Sequence, residues 1–167
     1  RAWLVLRRGD AEVVQFDGPV LELMTDARVR LDRRIAGLGP DIIADDFDED
    51  EFLLRLRRDD PTRPIGDALL DQRTIAGIGN LWKAEGCFLA GVDPWRPVAD
   101  VTDEEALRIV RGVRPLMQES AEHGMQDAYK TIYGRAGRAC PRCGERIRSR
   151  GQGDDNRITY WCPGCQR

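Results

Sequence analysis

Lysine is scarce in this 167-residue chain, histidine scarcer, and long apolar runs are missing altogether. Lys83 and Lys130 are the only side-chain amines. His123 is the only imidazole; it stands between Glu122 and Gly124 and reads as a helix end, not as an acid–base catalyst. No stretch reaches the roughly 18 apolar residues that a bilayer span needs, so no membrane partner is expected. The opening residues, RAWLVLRRGDAEVVQF, lack a continuous apolar segment and a small-residue cleavage site, which argues against a signal peptide. Excess positive charge is missing too: a net charge of −3 at pH 7 argues, taken alone, against nucleic acid.

What is present is unevenly spread. Residues 41–60 hold nine acids against three arginines, a balance of −6, whereas residues 130–167 hold nine bases against three acids, a balance of +6. Such polarity suggests one face built for an anion. Solvated charge in an arginine-rich composition is the plainer alternative. The length suits one ordinary domain or two small ones, and a hydrophobic fraction of 41% is that of a globular protein.

The strongest local signal is the stretch 140–167, CPRCGERIRSRGQGDDNRITYWCPGCQR. Two CxxC knuckles, Cys140/Cys143 and Cys162/Cys165, are separated by 18 residues, the spacing of a zinc ribbon. Thiolates on two tight turns supply the four soft ligands of one tetrahedral ion, with no open position, so a single Zn²⁺ here is structural. Residues 146–149 and 157–161 alternate well enough for a β-hairpin around the loop 151–156. With so few apolar residues the segment cannot build a core, and metal binding, worth about 10–16 kcal/mol in finger peptides, would be most of its folding free energy. Chance pairs or a redox dithiol are the competing readings. The fifth cysteine, Cys87, sits among apolar neighbours as a small core residue, and the whole pattern fits a reducing compartment, the cytoplasm.

Upstream, residues 3–8 and 12–16 are β-type runs around Gly9-Asp10, and a third run spans Pro19–Met24. Three short strands make a poor independent layer, so they read as the end of a β-domain that begins elsewhere. From Asp46, a candidate N-cap, Phe47–Arg58 turns helical, followed by a short helix over Ile65–Asp71 and another over Asn80–Ala90 that Gly91 closes. Thr102 and Glu105 form a capping box for a further helix, in which Met117 is a core residue. Between the second and third of these helices lies Ile75-Ala76-Gly77-Ile78-Gly79-Asn80. Two glycines allow a sharp turn opening onto a helix N-terminus, where free N–H groups favour a phosphate. Asn80 could cap that helix and donate its amide to a phosphate oxygen. A tight helix–helix turn is the alternative, and Gly37-Leu38-Gly39-Pro40 looks like a plain one.

Taken together these pieces resemble the formamidopyrimidine-DNA glycosylase/endonuclease VIII family along nearly the whole chain. The resemblance rests on LGPDIIADDF (38–47), PIGDALLDQRTIAGIGN (64–80) with Lys83-Ala84-Glu85, GVDPWRPV (91–98), IYGRAGRAC (132–140) and the finger with NRITYWCPGCQR. The LLDQ wording, and Asp17-Gly18-Pro19-Val20 where the family has an Asp-Pro-Arg-Arg-Phe loop, are similar to the endonuclease VIII branch, particularly its actinobacterial members. The resemblance implies an α+β architecture: a partial β-sandwich half (1–44), a helix–two-turn–helix DNA-binding domain (45–135) and a zinc-ribbon hairpin (136–167). It also implies that Asn80, beside Gly79, and Arg157 hold the phosphates flanking a damaged nucleotide in duplex DNA. Tyr133 and Arg135 lead into the finger and would line the same groove. Glu85 matches a family position but reads as an exposed or helix-stabilising carboxylate, and no function is assigned to it.

The departures concern chemistry. The family's nucleophile is an N-terminal proline amine, assisted by a glutamate, with a β-sandwich lysine on phosphate; this chain starts with Arg1 and has none of them. These residues are therefore expected to be a C-terminal fragment that binds DNA without cleaving it. The full-length protein would be a monomeric bacterial glycosylase with abasic-site lyase activity, working on the nucleoid in the cytoplasm. Oxidised pyrimidines are its favoured lesions, and the Asp17–Val20 departure leaves open how the void of a flipped base is filled. The apolar face of residues 3–24 is expected to favour self-association of the fragment. A non-catalytic zinc-ribbon module that binds nucleic acid or protein is the alternative.

Overall fold

A computed structural model describes residues 2–16, 18, 20–124, 126–153 and 156–167, which form two compact units, Arg1–Ala36 and Gly37–Arg167. In the first, β1 (Ala2–Arg8) and β2 (Ala11–Phe16) pair antiparallel about Gly9-Asp10, with Val5 opposite Val14 and a register shift between Ala2 and Leu4. Two short helices follow, α1 (Asp26–Leu31), whose N-cap Thr25 accepts from the Arg28 N–H, and α2 (Arg33–Ala36). Trp3, Leu6, Val13 and Phe16 are all more than half exposed, as two strands without a second layer must leave them. The third β-run expected from Pro19–Met24 does not form. Asp17 and Pro19 lie outside the described residues, and 20–24 is irregular chain with Leu23 fully open to solvent. Apolar residues make a strand only where a neighbouring edge accepts their backbone bonds.

The second unit is helical with a small hairpin. Helix α3 (Glu49–Arg58) begins two residues later than the pattern suggests, because Asp48, not Asp46, accepts the Glu51 N–H at 2.9 Å. Phe47 instead belongs to the preceding turn, its N–H on the Ala44 carbonyl and the Arg114 guanidinium over its ring. Acids in the first turn and arginines in the last suit the helix dipole. Helix α4 covers only Ile65–Ala68, since beyond it the Asp71 N–H bonds the Ala68 carbonyl in a tighter turn. Helices α5 (Asn80–Ala90) and α6 (Asp103–His123) match their predicted bounds, the latter with both bonds of the Thr102–Glu105 capping box.

Helix α5 is the axis of the unit. Every residue from Leu81 to Phe88 is buried, because the helix packs on two sides. One side meets α6: a Cβ on Gly86 would stand 3.0 Å from Ile109 and 3.1 Å from Val113, so only glycine lets the helices approach this closely. The other side meets the C-terminal hairpin through Ala84, Phe88, Ile132, Ile147 and Cys162. That hairpin pairs β3 (Arg148–Gln152) with β4 (Arg157–Trp161), Gln152 opposite Arg157; of its predicted loop, residues 154 and 155 lie outside the described ones. Cys87 and Met117 are core residues, as expected. Among the described residues no helix is long and apolar enough to cross a membrane.

Phe52 and Leu56 put α3 into this core with no exposed surface, while Leu54 is 45% exposed. Phe52→Ala should lower stability by about 3–5 kcal/mol and Leu54→Ala by less than about 0.5 kcal/mol, read from urea unfolding midpoints.

Candidate nucleic-acid interface and metal centre

The four knuckle sulfurs all lie within 4.8 Å of one another, Cys140 to Cys165 at 3.9 Å and Cys143 to Cys162 at 3.4 Å. Sulfurs held about 2.3 Å from one tetrahedral ion would lie about 3.8 Å apart, so the donor set fits a single soft metal ion. Backbone turns fix the arrangement: the Gly144 N–H donates to the Cys140 carbonyl, and the Gln166 N–H to that of Cys162. Burial, and then the other three thiols, push Cys165 up to about 12, so a cation is what would allow four thiolates to coexist here. Buried Gln166 ties the second knuckle to the end of α5, accepting from the Cys162 N–H at 2.7 Å and donating to the Val92 carbonyl at 3.0 Å.

The glycine turn is built from three strands of chain. Gly77 has φ +97°, and a Cβ there would meet the Ile42 methyl at 3.1 Å. Asp41 bridges Ala76 in parallel, with the Ala76 N–H on the Pro40 carbonyl and the Ile42 N–H on that of Ala76. Gln72 completes the brace: its amide donates to the carbonyls of Leu70 and Ile78 and accepts the Gly77 N–H at 2.9 Å. The turn thus delivers Gly79 as the N-cap of α5 with no side chain bonded to the helix mouth and open space where a Cβ would stand. The cap expected from Asn80 is not made. Asn80 is the first residue of the helix, and its Nδ2 donates 2.8 Å to the Ile158 carbonyl on β4, while its Oδ1 is buried without a partner.

That bond places Asn80 against the residue after Arg157. Gly77, Gly79, Gln152 and Arg157 line one cleft of about 700 Å³ together with Arg63, Asp67 and Asp71, while Asn80 is not among the lining residues. Arg63 is held there by Asp59 and Asp71 and donates to the Asp67 carbonyl. The cleft therefore joins the α5 mouth, the Gln152 carboxamide and an arginine on the hairpin, donors of the kind that bind anions, with two carboxylates beside them. Tyr133 is not among the lining residues; its ring stands edge-on to Tyr160 at 5.1 Å and under the Lys130 ammonium at 5.9 Å. Arg135 turns back on its own loop, donating to the Thr131 carbonyl at 3.1 Å, with Nε buried and unpartnered.

Two charged residues of α5 carry more than the sequence suggested. Glu85 is buried, not exposed: its Oε1 accepts the N–H groups of Thr131, Ile132 and Tyr133, each at 2.9 Å, and so sets the connector that carries Tyr133. Lys83, also fully buried, donates to Thr159 and Gln152 on the hairpin. The available signal was a lysine and a glutamate inside an otherwise apolar helix.

Residues 38–130 match the formamidopyrimidine-DNA glycosylase H2TH domain family. The protein named probable endonuclease 8 2 in Streptomyces coelicolor is 40% identical over 98% of this chain and 61% of its own length. A DNA-(apurinic or apyrimidinic site) lyase of Mycolicibacterium smegmatis is 35% identical over 99% of this chain and 66% of its own. The chain thus spans less than two thirds of the length of these relatives. The solved structure of the complex between Lactococcus lactis Fpg and an abasic site containing DNA superposes with a TM-score of 0.74 at 25% identity, covering 86% of this chain and 57% of that one.

The closed sulfur set predicts one metal ion per chain by atomic emission. Cys162→Ala should abolish that ion and release the hairpin, seen as loss of amide-exchange protection at Ile147 and Thr159 while α6 stays protected.

Proposed function

The chain belongs to the formamidopyrimidine-DNA glycosylase/endonuclease VIII family, and we propose that it is the DNA-holding part of a base-excision-repair glycosylase and abasic-site lyase. The observation that carries this reading is the Asn80–Ile158 bond, which puts the helix mouth and Arg157 on one cleft. Two rigid clamps side by side suit adjacent phosphates of a kinked strand with an extruded or missing base. Asn80, Gly79 and Arg157 hold the backbone, Tyr133 and Arg135 flank it, and the ion among Cys140, Cys143, Cys162 and Cys165 is Zn²⁺, the soft tetrahedral ion of such ribbons. The zinc supplies folding energy to the hairpin and takes no part in the reaction. The partner is duplex DNA with a damaged or abasic nucleotide, in the bacterial cytoplasm; oxidised pyrimidines are the favoured lesions by likeness to the endonuclease 8 relatives.

Holding and cleaving separate in this reading. Forming a Schiff base at a sugar carbon needs an accessible neutral amine. Lys83 is buried and bonded, and so is not such an amine. In this reading the 167 residues hold DNA, and the attacking amine is not Lys83.

Arg157→Ala should weaken binding to a duplex carrying a tetrahydrofuran abasic analogue about tenfold, whatever the flanking sequence, and flatten the salt dependence by about one phosphate. Wild-type affinity at both low and high salt would refute the clamp; equal affinity for intact and abasic duplexes would favour a generic zinc-ribbon module. Borohydride trapping on abasic DNA should give no covalent adduct with this chain.

A further inference from the structure

Lys83 is an unusual residue to find with no exposed surface on a helix packed on two sides. Its Nζ donates 2.5 Å to Thr159 Oγ1 and 3.3 Å to Gln152 Oε1; Thr159 donates onward to Gln152 at 2.6 Å, and Gln152 Nε2 to the Pro94 carbonyl at 2.8 Å. These two hydrogen-bond partners are neutral. They also flank Arg157, which stands opposite Gln152 in the hairpin and two residues before Thr159. On α5, Lys83 follows Asn80 by one turn, its backbone N–H on the Gly79 carbonyl. The ammonium is therefore bonded to the hairpin residues that flank Arg157, one helical turn on from Asn80.

We propose that Lys83 belongs to the DNA-holding site as an internal cation, bracing the hairpin against α5 and lending proton-linked positive charge to the phosphate gripped in front of it. The inference rests on the DNA-holding reading above. Three charged or titratable groups face the amine: Asp67 on α4 favours the charged form, Arg157 on β4 opposes it, and Cys87 on its own helix would favour it only as a thiolate. Cys87 is pushed up to about 12 by burial and stays neutral near pH 8. Burial dominates at Lys83 and lowers its pKa from 10.5 to about 8. The free protein thus begins to lose this proton as pH rises through about 8. A bound phosphate favours the charged form, so binding takes up a proton there, and affinity must fall as pH climbs.

The test measures affinity of the metal-loaded chain for abasic-analogue duplex at fixed salt, for wild type, Lys83→Met, Lys83→Gln and Arg157→Ala. Metal content and thermal melts at each pH establish folding. Lys83→Met and Lys83→Gln should each bind about tenfold more weakly at pH 7 and show little change to pH 9, where wild type should have lost about fivefold. Gln keeps a donor for Thr159 without the charge, so it carries the test if Met disturbs the core. Wild-type affinity in a folded Lys83 variant, recovery of affinity by Gln, or a wild-type pH slope in either variant overturns the proposal. If Arg157→Ala also binds like wild type, the DNA-holding reading itself fails; if Arg157→Ala binds weakly and the Lys83 variants do not, only the role of Lys83 falls.

Discussion

One helix buried on two sides governs this structure. Helix α5 packs on α6 through Gly86 and on the C-terminal hairpin through Ala84 and Phe88, so its N-terminus cannot shift without moving both. The Asn80–Ile158 bond fastens that N-terminus to β4, next to Arg157. Anion binding by fixed donors requires that donors not rearrange when the ligand arrives. A helix buried from Leu81 to Phe88 meets that requirement better than a surface helix would.

The hairpin depends on α5 in turn. Its own apolar residues are few, and Ile147, Cys140 and Cys162 become buried only as part of the cluster that α5 completes. The four sulfurs close one end, Gln166 ties the second knuckle to Val92, and Lys83 grips Thr159 and Gln152 at the other end. The sulfur cluster and the buried ammonium thus stand at the two ends of a two-stranded ribbon that would be marginal alone.

The charge layout answers an objection raised by the net charge of −3. The acids of residues 41–60 are spent largely inside the helical unit: Asp48 caps α3, Glu49 pairs with Arg111 and Glu51 with Arg55. Arginines of the same region do similar work, Arg57 on the Val98 and Val101 carbonyls and Asp103. The bases of the C-terminal stretch lie on a separate element, so a modest total conceals a local field of the opposite sign.

Much of this was legible in the residues themselves. The thiolate spacing, the Gly77 turn, the closing Gly91 and the Thr102–Glu105 box are local chemistry, each decided within a few positions of the chain. Where local signals competed they misled: Asp46 and Asp48 are both good caps, and Asn80 is a good cap whose amide is used elsewhere. The β-run 19–24 had composition but no partner edge. Only the tertiary structure decided that Asn80 meets Ile158, Lys83 meets Thr159, and Glu85 gathers the N–H groups of 131–133. Hydrophobic period and spacing say which face of an element is buried. They carry no information on which distant polar group will satisfy a charge buried there, because that is settled by how the elements pack.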